Sequence, residues 1–151
     1  MFGSQQRQEL GKVFHDANAE AARMGDRRIG TEHVTLAMLA DPNSVSAKAL
    51  AVSLDDARKA LQALDSAALA AVGIEAVDPG PGAQPARVRM RLTPGARHVF
   101  SGLKANRSAK PPRPQHVLLG LLDCAKPDPA AELIDALGVD RAQVRQRLQA
   151  S

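Results

Sequence analysis

A similar stretch occurs twice in this chain, and it constrains the fold more than any other feature. The segment 33–39 (HVTLAML) recurs 83 positions later as 116–122 (HVLLGLL), and each copy is followed by a short polar gap and an Ala/Leu-containing segment, at 47–50 and 130–133. An internal duplication of this kind indicates one supersecondary unit used twice, with each unit burying its apolar face partly against the other. We therefore expect a pseudo-twofold helical domain with a groove between its halves.

The composition favours helices over strands. Ala and Leu dominate the apolar residues, while aromatic residues make up 2% of the chain, as three Phe with no Trp or Tyr. Ala and Leu lose little conformational entropy in a helix. The predicted fold is all-α, with one domain over 1–151 that contains two pseudo-twofold-related four-helix repeats. The repeats are expected at about 2–72 and about 92–149, joined by a Pro/Gly linker at about 73–91.

Apolar periodicity, caps and breakers place about eight helices. We expect them at about 4–24, 32–39, 45–52, 55–72, 94–105, 115–124, 129–137 and 140–149. Thr31, Asp55 and Thr93 are the predicted N-caps, because a side-chain oxygen at that position accepts a hydrogen bond from an unpaired backbone N–H of the first turn. Gly30 is expected to supply a backbone conformation that glycine adopts most readily.

The charge is distributed unevenly along the chain. Between Pro79 and Leu122 there is no Asp or Glu but eight basic residues, namely Arg87, Arg89, Arg91, Arg97, Lys104, Arg107, Lys110 and Arg113. Such a block can attract nucleic acid or an acidic protein surface, or simply form a solvated face. No aromatic residues suited to base stacking are interleaved with it. The stretch 87–113 is the basis of one alternative function, that of a nucleic-acid-associated regulatory protein.

The sequence lacks the signals that are typical of several other classes of protein. No apolar run is long enough to span a membrane, the start lacks a signal-peptide pattern, and Cys124 is the single cysteine, which fits a reducing cytoplasm. His33 and His116 are equivalent in the two repeats and have no second ligand at helical spacing, so a hydrogen bond at the helix start is expected rather than a metal site. We expect no metal, no cofactor and no enzymatic activity.

The residues at 29–33 (IGTEH) resemble the turn into the second helix of each Clp N-terminal repeat. That double repeat opens the ClpA- and ClpC-type AAA+ unfoldases. The segments 1–2 (MF), 92–94 (LTP) and 137–140 (LGVD) are similar to the family as well, so that the resemblance covers about Phe2 to Leu148. The chain has no Gly-x-x-x-x-Gly-Lys-Ser/Thr phosphate loop. It therefore looks like a free-standing copy of the recognition domain, without ATPase modules.

The resemblance implies a protein- and peptide-binding module of the Clp chaperone-protease system. Its expected partners are the Clp unfoldase, adaptors, substrates and Clp-targeting cyclic peptide antibiotics, and its expected role is that of an adaptor or a decoy. A decoy would act by mass action, occupying ligands that would otherwise reach the unfoldase ring. A degenerate remnant without a high-affinity ligand is a further alternative.

The phosphoarginine pockets of the family can be compared residue by residue. In the family, each pocket uses a glutamate of the helix-two turn for the guanidinium, and a Thr-x-Arg at the start of the unit's first helix for the phosphate. Glu32 matches in the first unit, which has no Thr-x-Arg. Thr93 matches in the second, where Gly95 replaces the Arg and Gln115 replaces the Glu. Each pocket is thus expected to be half lost, and for Glu32 a simple interaction with the positive helix N-terminus is the alternative.

Two apolar residues resemble positions at which relatives bind peptides and cyclic antibiotics. Phe2 and Leu92 correspond to the junction of the two repeats in that family. Phe2 has two possible roles, contact with a peptide or packing against its own helix.

Overall fold

The computed structural model describes residues 2–73, 91–105 and 113–150, without the side chains of 2–7, 104 and 105. These residues form eight helices: α1 (Phe2–Arg23), α2 (Thr31–Met38), α3 (Val45–Leu50), α4 (Leu54–Ala71), α5 (Pro94–Ala105), α6 (Pro114–Leu122), α7 (Pro129–Ala136) and α8 (Arg141–Ala150). The all-α prediction is confirmed. Most of the predicted linker, 74–90, lies outside the described residues.

Side-chain caps begin several of these helices. Ser44 accepts a hydrogen bond from the N–H of Ala47 at the start of α3, and Thr93 accepts one from the N–H of Ala96 at the start of α5. The prediction that Asp55 caps α4 is wrong, because Ser53 accepts the N–H of Asp56 and occupies that position. Asp55 instead lies in the first turn, where its charge favours the positive helix end.

The sequence did not predict two short strands, β1 (Arg28–Ile29) and β2 (Arg91–Leu92). They pair in parallel, with Arg28 opposite Arg91 and Ile29 opposite Leu92. The N–H of Thr93 continues the pairing by donating to the carbonyl of Ile29 at 2.9 Å. Two residues are too few for an alternating pattern to show in a sequence. The pairing places the segment that leads into α2 of the first repeat beside the segment that leads into α5 of the second.

Both repeats contribute to one cluster of buried apolar side chains. Helices α2 and α4 of the first repeat pack against α7 of the second, and α3 packs against α8. The largest fully buried apolar side chains come from α2, α6, α7 and α8, namely Val34, Leu36, Val117, Leu118, Leu121, Leu122, Leu133, Ile134 and Val144. Each repeat thus covers apolar surface of the other, and this packing fixes the starts of α2, α5, α6 and α7 relative to one another.

An aromatic contact joins the first helices of the two repeats. The rings of Phe14 on α1 and Phe100 on α5 are stacked, with centroids 4.3 Å apart and an interplanar angle of 23°. Both side chains are half-buried.

Among the described residues, no helix is both long and apolar enough to cross a membrane.

Candidate functional site

The two equivalent histidines perform the same task at the starts of α2 and α6. The backbone N–H of Gly30 donates to Nδ1 of His33 at 2.9 Å, and the backbone N–H of Arg113 donates to Nδ1 of His116 at 2.8 Å. Each histidine is the third residue of its helix. The two rings therefore satisfy backbone donors that would otherwise be unpaired at the helix ends.

Thr31 does not cap its own helix, contrary to the prediction. Gly30 is the N-cap of α2, and Thr31 is the first helical residue and 1% exposed. Its hydroxyl donates to Oδ1 of Asp128 at 2.6 Å and accepts the N–H of Ala130 at 3.2 Å. Asp128 is the N-cap of α7. Because the imidazole of His33 already serves the start of α2, the hydroxyl of Thr31 is available to the other repeat.

Gly30 leaves room for a neighbouring side chain, and its backbone angles do not call for glycine. Its φ of −95° and ψ of 174° are extended values that any residue adopts. A Cβ built on Gly30, however, would lie 1.7 Å from Oε1 of Glu32. The carboxylate of Glu32 thus folds back over the Cα of Gly30. The expectation of a glycine-specific conformation at Gly30 is wrong, and the space occupied by the Glu32 carboxylate is the reason that glycine fits here.

Glu32 lies in an acidic environment beside the buried ring of His33. Its side chain is 19% exposed, and Oε1 is 3.3 Å from Nδ1 of His33. Burial raises the pKa of Glu32, and the nearby charges of Asp26 and Asp65 raise it further, while His33 lowers it. Asp26 is also the hydrogen-bond partner of His33 Nε2, at 2.8 Å. Because acidic groups already lie near this carboxylate, they would repel a further anion such as a phosphate.

The turn into α2 of the first repeat lies close to the start of α5 in the second repeat. The turn with Thr31 and Glu32 lies against the start of α5, since a Cβ on Gly95 would be 3.6 Å from Cγ2 of Thr31. The turn that contains Glu32 in the first repeat therefore faces the start of α5 in the second repeat. At this junction Glu32 and Thr93 are both present. A Cβ on Gly95 would also lie 3.0 Å from a carboxylate oxygen of Asp128.

Gln115 lies at a second contact between the repeats, where the start of α6 meets α1 and α3. A cavity of about 310 Å³ lies at this opposite junction. Its walls come from α1, from the end of α2 with the connection that follows, from the start of α3, and from Pro114 and Gln115 of α6. The cavity is thus bounded by both repeats. Its volume is at the lower end of the range for ligand pockets, which is about 300 to 1,000 Å³.

The cavity combines apolar walls with an excess of acidic groups. Val13, Met38 and Val45 contribute apolar surface, and Val45 is 39% exposed. Asp16 on α1 also lines it, and burial raises the pKa of that carboxyl. None of these residues was predicted as a site residue. Their roles depend on the packing of α1 against α6, which no local pattern in the sequence reveals.

Of the two apolar residues predicted to bind peptides, Leu92 has a described side chain and Phe2 does not. Leu92 lies in β2, half-buried and packed against the core, and Thr93 directly follows it as the cap of α5. The side chain of Phe2 lies outside the described residues, although the residue itself begins α1. The stacked pair Phe14–Phe100 supplies aromatic surface on α1 and α5.

Other kinds of site receive little support from the described residues. Within them, no group of three or more His, Cys, Asp and Glu side chains is placed to hold a metal ion. Cys124 is half-buried, and burial raises the pKa of its thiol to about 11. Such a thiol is protonated at neutral pH and a poor nucleophile. Of the basic stretch 87–113, residues 87–90 and 106–112 lie outside the described part of the chain.

The comparison with known families identifies one match. The family model of the Clp repeat N-terminal domain matches residues 6–111, which include α2 to α5, most of α1 and the linker. No curated protein matches the chain.

Proposed function

Because the chain belongs to the Clp repeat N-terminal domain family, we propose that it is a non-enzymatic protein- and peptide-binding module of the Clp chaperone-protease system. The observation that carries the proposal is the cavity between the two repeats, which α1, α3 and α6 line together. In such a cavity the apolar walls can hold a side chain of a ligand, and the polar groups can fix its orientation. The proposed ligands are segments of substrates or adaptors.

The proposed role is to present or withhold such segments from a Clp unfoldase. As an adaptor, the module would hold a substrate while it contacts the unfoldase. As a decoy, it would compete for the same substrates or for cyclic peptide antibiotics, in proportion to its concentration and affinity. Phe2, Leu92 and the Phe14–Phe100 pair are the proposed contact residues for cyclic peptides.

Phosphoarginine is not the ligand that we propose. The carboxylate of Glu32 is turned onto Gly30 and surrounded by other acids, and Gly95 adds no positive charge where the family has an arginine. Gln115 at the opposite junction carries no charge. Both observations argue against a phosphoarginine pocket of the family's type.

A titration of isotope-labelled protein with an unfolded model substrate, reduced and carboxamidomethylated α-lactalbumin, tests the proposal. We expect shifts of the backbone amide signals of Val13, Met38 and Gln115. Val45→Asp should weaken binding about tenfold or more, because it places a charge on the apolar wall. Val72→Asp is the matched control, since Val72 is 71% exposed and is not a wall of the cavity. Shifts that spare the cavity, or equal effects of the two variants, would contradict the proposal.

Nucleic-acid association through 87–113 is the alternative function. Binding to phosphates weakens steeply with salt because counterions are released, whereas apolar docking does not. Titration with duplex DNA and with RNA at several salt concentrations separates the two. Tight, salt-dependent binding of either nucleic acid would favour this alternative.

A further inference from the structure

The cavity between the repeats has a charge that is opposite to that of the protein. The chain carries a formal net charge of +4. Of the residues that the structure describes, three carboxylates, those of Glu9, Asp16 and Asp41, and one cation, Lys12, line the cavity. Because the overall charge repels cations at long range, any preference for a cation must arise locally, within the cavity.

Asp16 is the half-buried acid of the cavity, whereas Glu9 and Asp41 are exposed. The charges of Glu20 and Asp41 add to the negative potential at its carboxylate. Burial raises the pKa of Asp16, while Lys12 and His15 offset this only in part. By comparison, Asp41 accepts the N–H of Asn43 at 3.0 Å and is exposed. A cationic group that entered the cavity would give Asp16 the partner that burial makes valuable.

The apolar walls match the methylene stem of a long basic side chain. Val13 and Met38 lie on α1 and α2, and Pro114 closes the cavity from α6. Arginine and lysine have apolar methylene stems beneath a charged head, and they bury the stem along apolar surface. A site with apolar walls and carboxylates suits this combination better than it suits a purely apolar or an anionic side chain.

We propose that the cavity receives an unphosphorylated arginine or lysine side chain from a basic segment of a partner polypeptide. Charge complementarity with Glu9, Asp16 and Asp41 selects the head group, and Gln115 adds a neutral amide that can accept a hydrogen bond from it. The inference rests on the proposed function, since it names the class of peptide that the module recognises. A phosphorylated arginine would bring negative charge towards three carboxylates and would be disfavoured.

Blocked pentapeptides that differ only in the central residue test this inference. The series is acetyl-Ala-Leu-Xaa-Leu-Ala-amide, where Xaa is arginine, lysine, citrulline, glutamate or phosphoarginine. Citrulline has nearly the shape of arginine without its charge. The dissociation constants come from backbone amide shifts in isotope-labelled protein. We expect the arginine and lysine peptides to bind about tenfold more tightly than the citrulline peptide, as a charged hydrogen-bonded pair would give.

Substitutions in the cavity locate the effect. Asp16→Asn should reduce the preference for arginine over citrulline several-fold while leaving the citrulline peptide unchanged. Gln115→Glu should increase the preference for arginine, because it adds a fourth carboxylate. Asp55→Asn is the matched control: it makes the same chemical change on α4, where the carboxylate is 73% exposed and pairs with Lys59.

The outcomes separate this inference from the proposed function. If all five peptides shift the cavity signals with equal affinity, the module binds peptides there and the preference for a basic residue is wrong. An arginine preference that Asp16→Asn and Asp55→Asn leave equally intact would also overturn it. If neither the pentapeptides nor the unfolded substrate shifts any cavity signal, the proposed function itself fails at this site.

Discussion

The hydroxyl of Thr31 donates a hydrogen bond of 2.6 Å to Asp128, and the two residues are 97 positions apart in the sequence. Thr31 opens α2 of the first repeat, and Asp128 caps α7 of the second. The same hydroxyl accepts the N–H of Ala130. One buried side chain therefore joins the helix starts of both repeats and holds the glutamate turn against the second repeat.

Replacement of Thr31 by Val tests the importance of this contact. Valine keeps the shape of threonine but removes the hydroxyl, so that Asp128 loses a buried donor. We expect the free energy of unfolding to fall by about 1 to 2 kcal/mol, the usual contribution of one hydrogen bond to a charged group, since Asp128 is half-buried and still accepts the N–H of Ala130. Urea denaturation measures it. Thr31→Ser keeps the hydroxyl and is the control, and equal losses for Val and Ser would mean that the methyl group is what matters.

Glu32 is predicted to reduce stability at neutral pH. Its pKa is raised in the folded protein, chiefly by burial, so folding favours the protonated carboxyl. Stability should therefore fall as the pH rises from the ordinary glutamate pKa of 4.5 through the raised folded value, and the loss is complete above that value. Glu32→Gln should unfold at a higher temperature than the parent at pH 7. Below pH 4.5 the difference should disappear, and a higher melting temperature of the parent at pH 7 would refute this account.

A substitution at Gly30 is predicted to move the Glu32 carboxylate rather than to strain the backbone. In Gly30→Ala the new Cβ would occupy the place of Oε1, so the flexible glutamate side chain must leave. We expect the pKa of Glu32 to fall towards its ordinary value as the carboxylate reaches water, with a stability change below about 1 kcal/mol. NMR titration of the side-chain carboxyl carbon measures the pKa. An unchanged pKa would show that the carboxylate remains buried in the variant.

Local sequence signals account for most of the helices but not for the candidate site. The sequence predicts Thr93 as the cap of α5 because its capping bond spans only three residues, and Ala- and Leu-rich segments form helices in nearly any context. The hydroxyl of Thr31, by contrast, bonds to residues in the other repeat. The cavity depends in the same way on α6 lying near α1, and Asp16 has no local feature that distinguishes it from other acidic residues on helices.

The ion pair between Glu20 of α1 and Arg58 of α4 is predicted to contribute more to stability than the ion pair between Glu20 and Arg23 within α1. Glu20 is largely buried, and its carboxylate accepts hydrogen bonds from Arg58 of α4 through Nε and Nη2. Arg23 donates to the same carboxylate at 3.1 Å but lies only three residues away on α1. Because Arg58 is partly exposed, solvent screens the pair, and we expect Arg58→Ala to lower the free energy of unfolding by about 2 kcal/mol.

Arg23→Ala is the control for that experiment. It leaves the contact between α1 and α4 in place and removes a bond between residues one helical turn apart, so its cost should be about 0.5 kcal/mol. Denaturant titrations of the parent and the two variants at neutral pH provide the comparison. The double variant Arg23→Ala/Arg58→Ala should lose more than the sum of the single changes, because it leaves the buried carboxylate of Glu20 without either cation. Equal losses for the two single variants would mean that the tertiary pair adds nothing beyond a surface interaction.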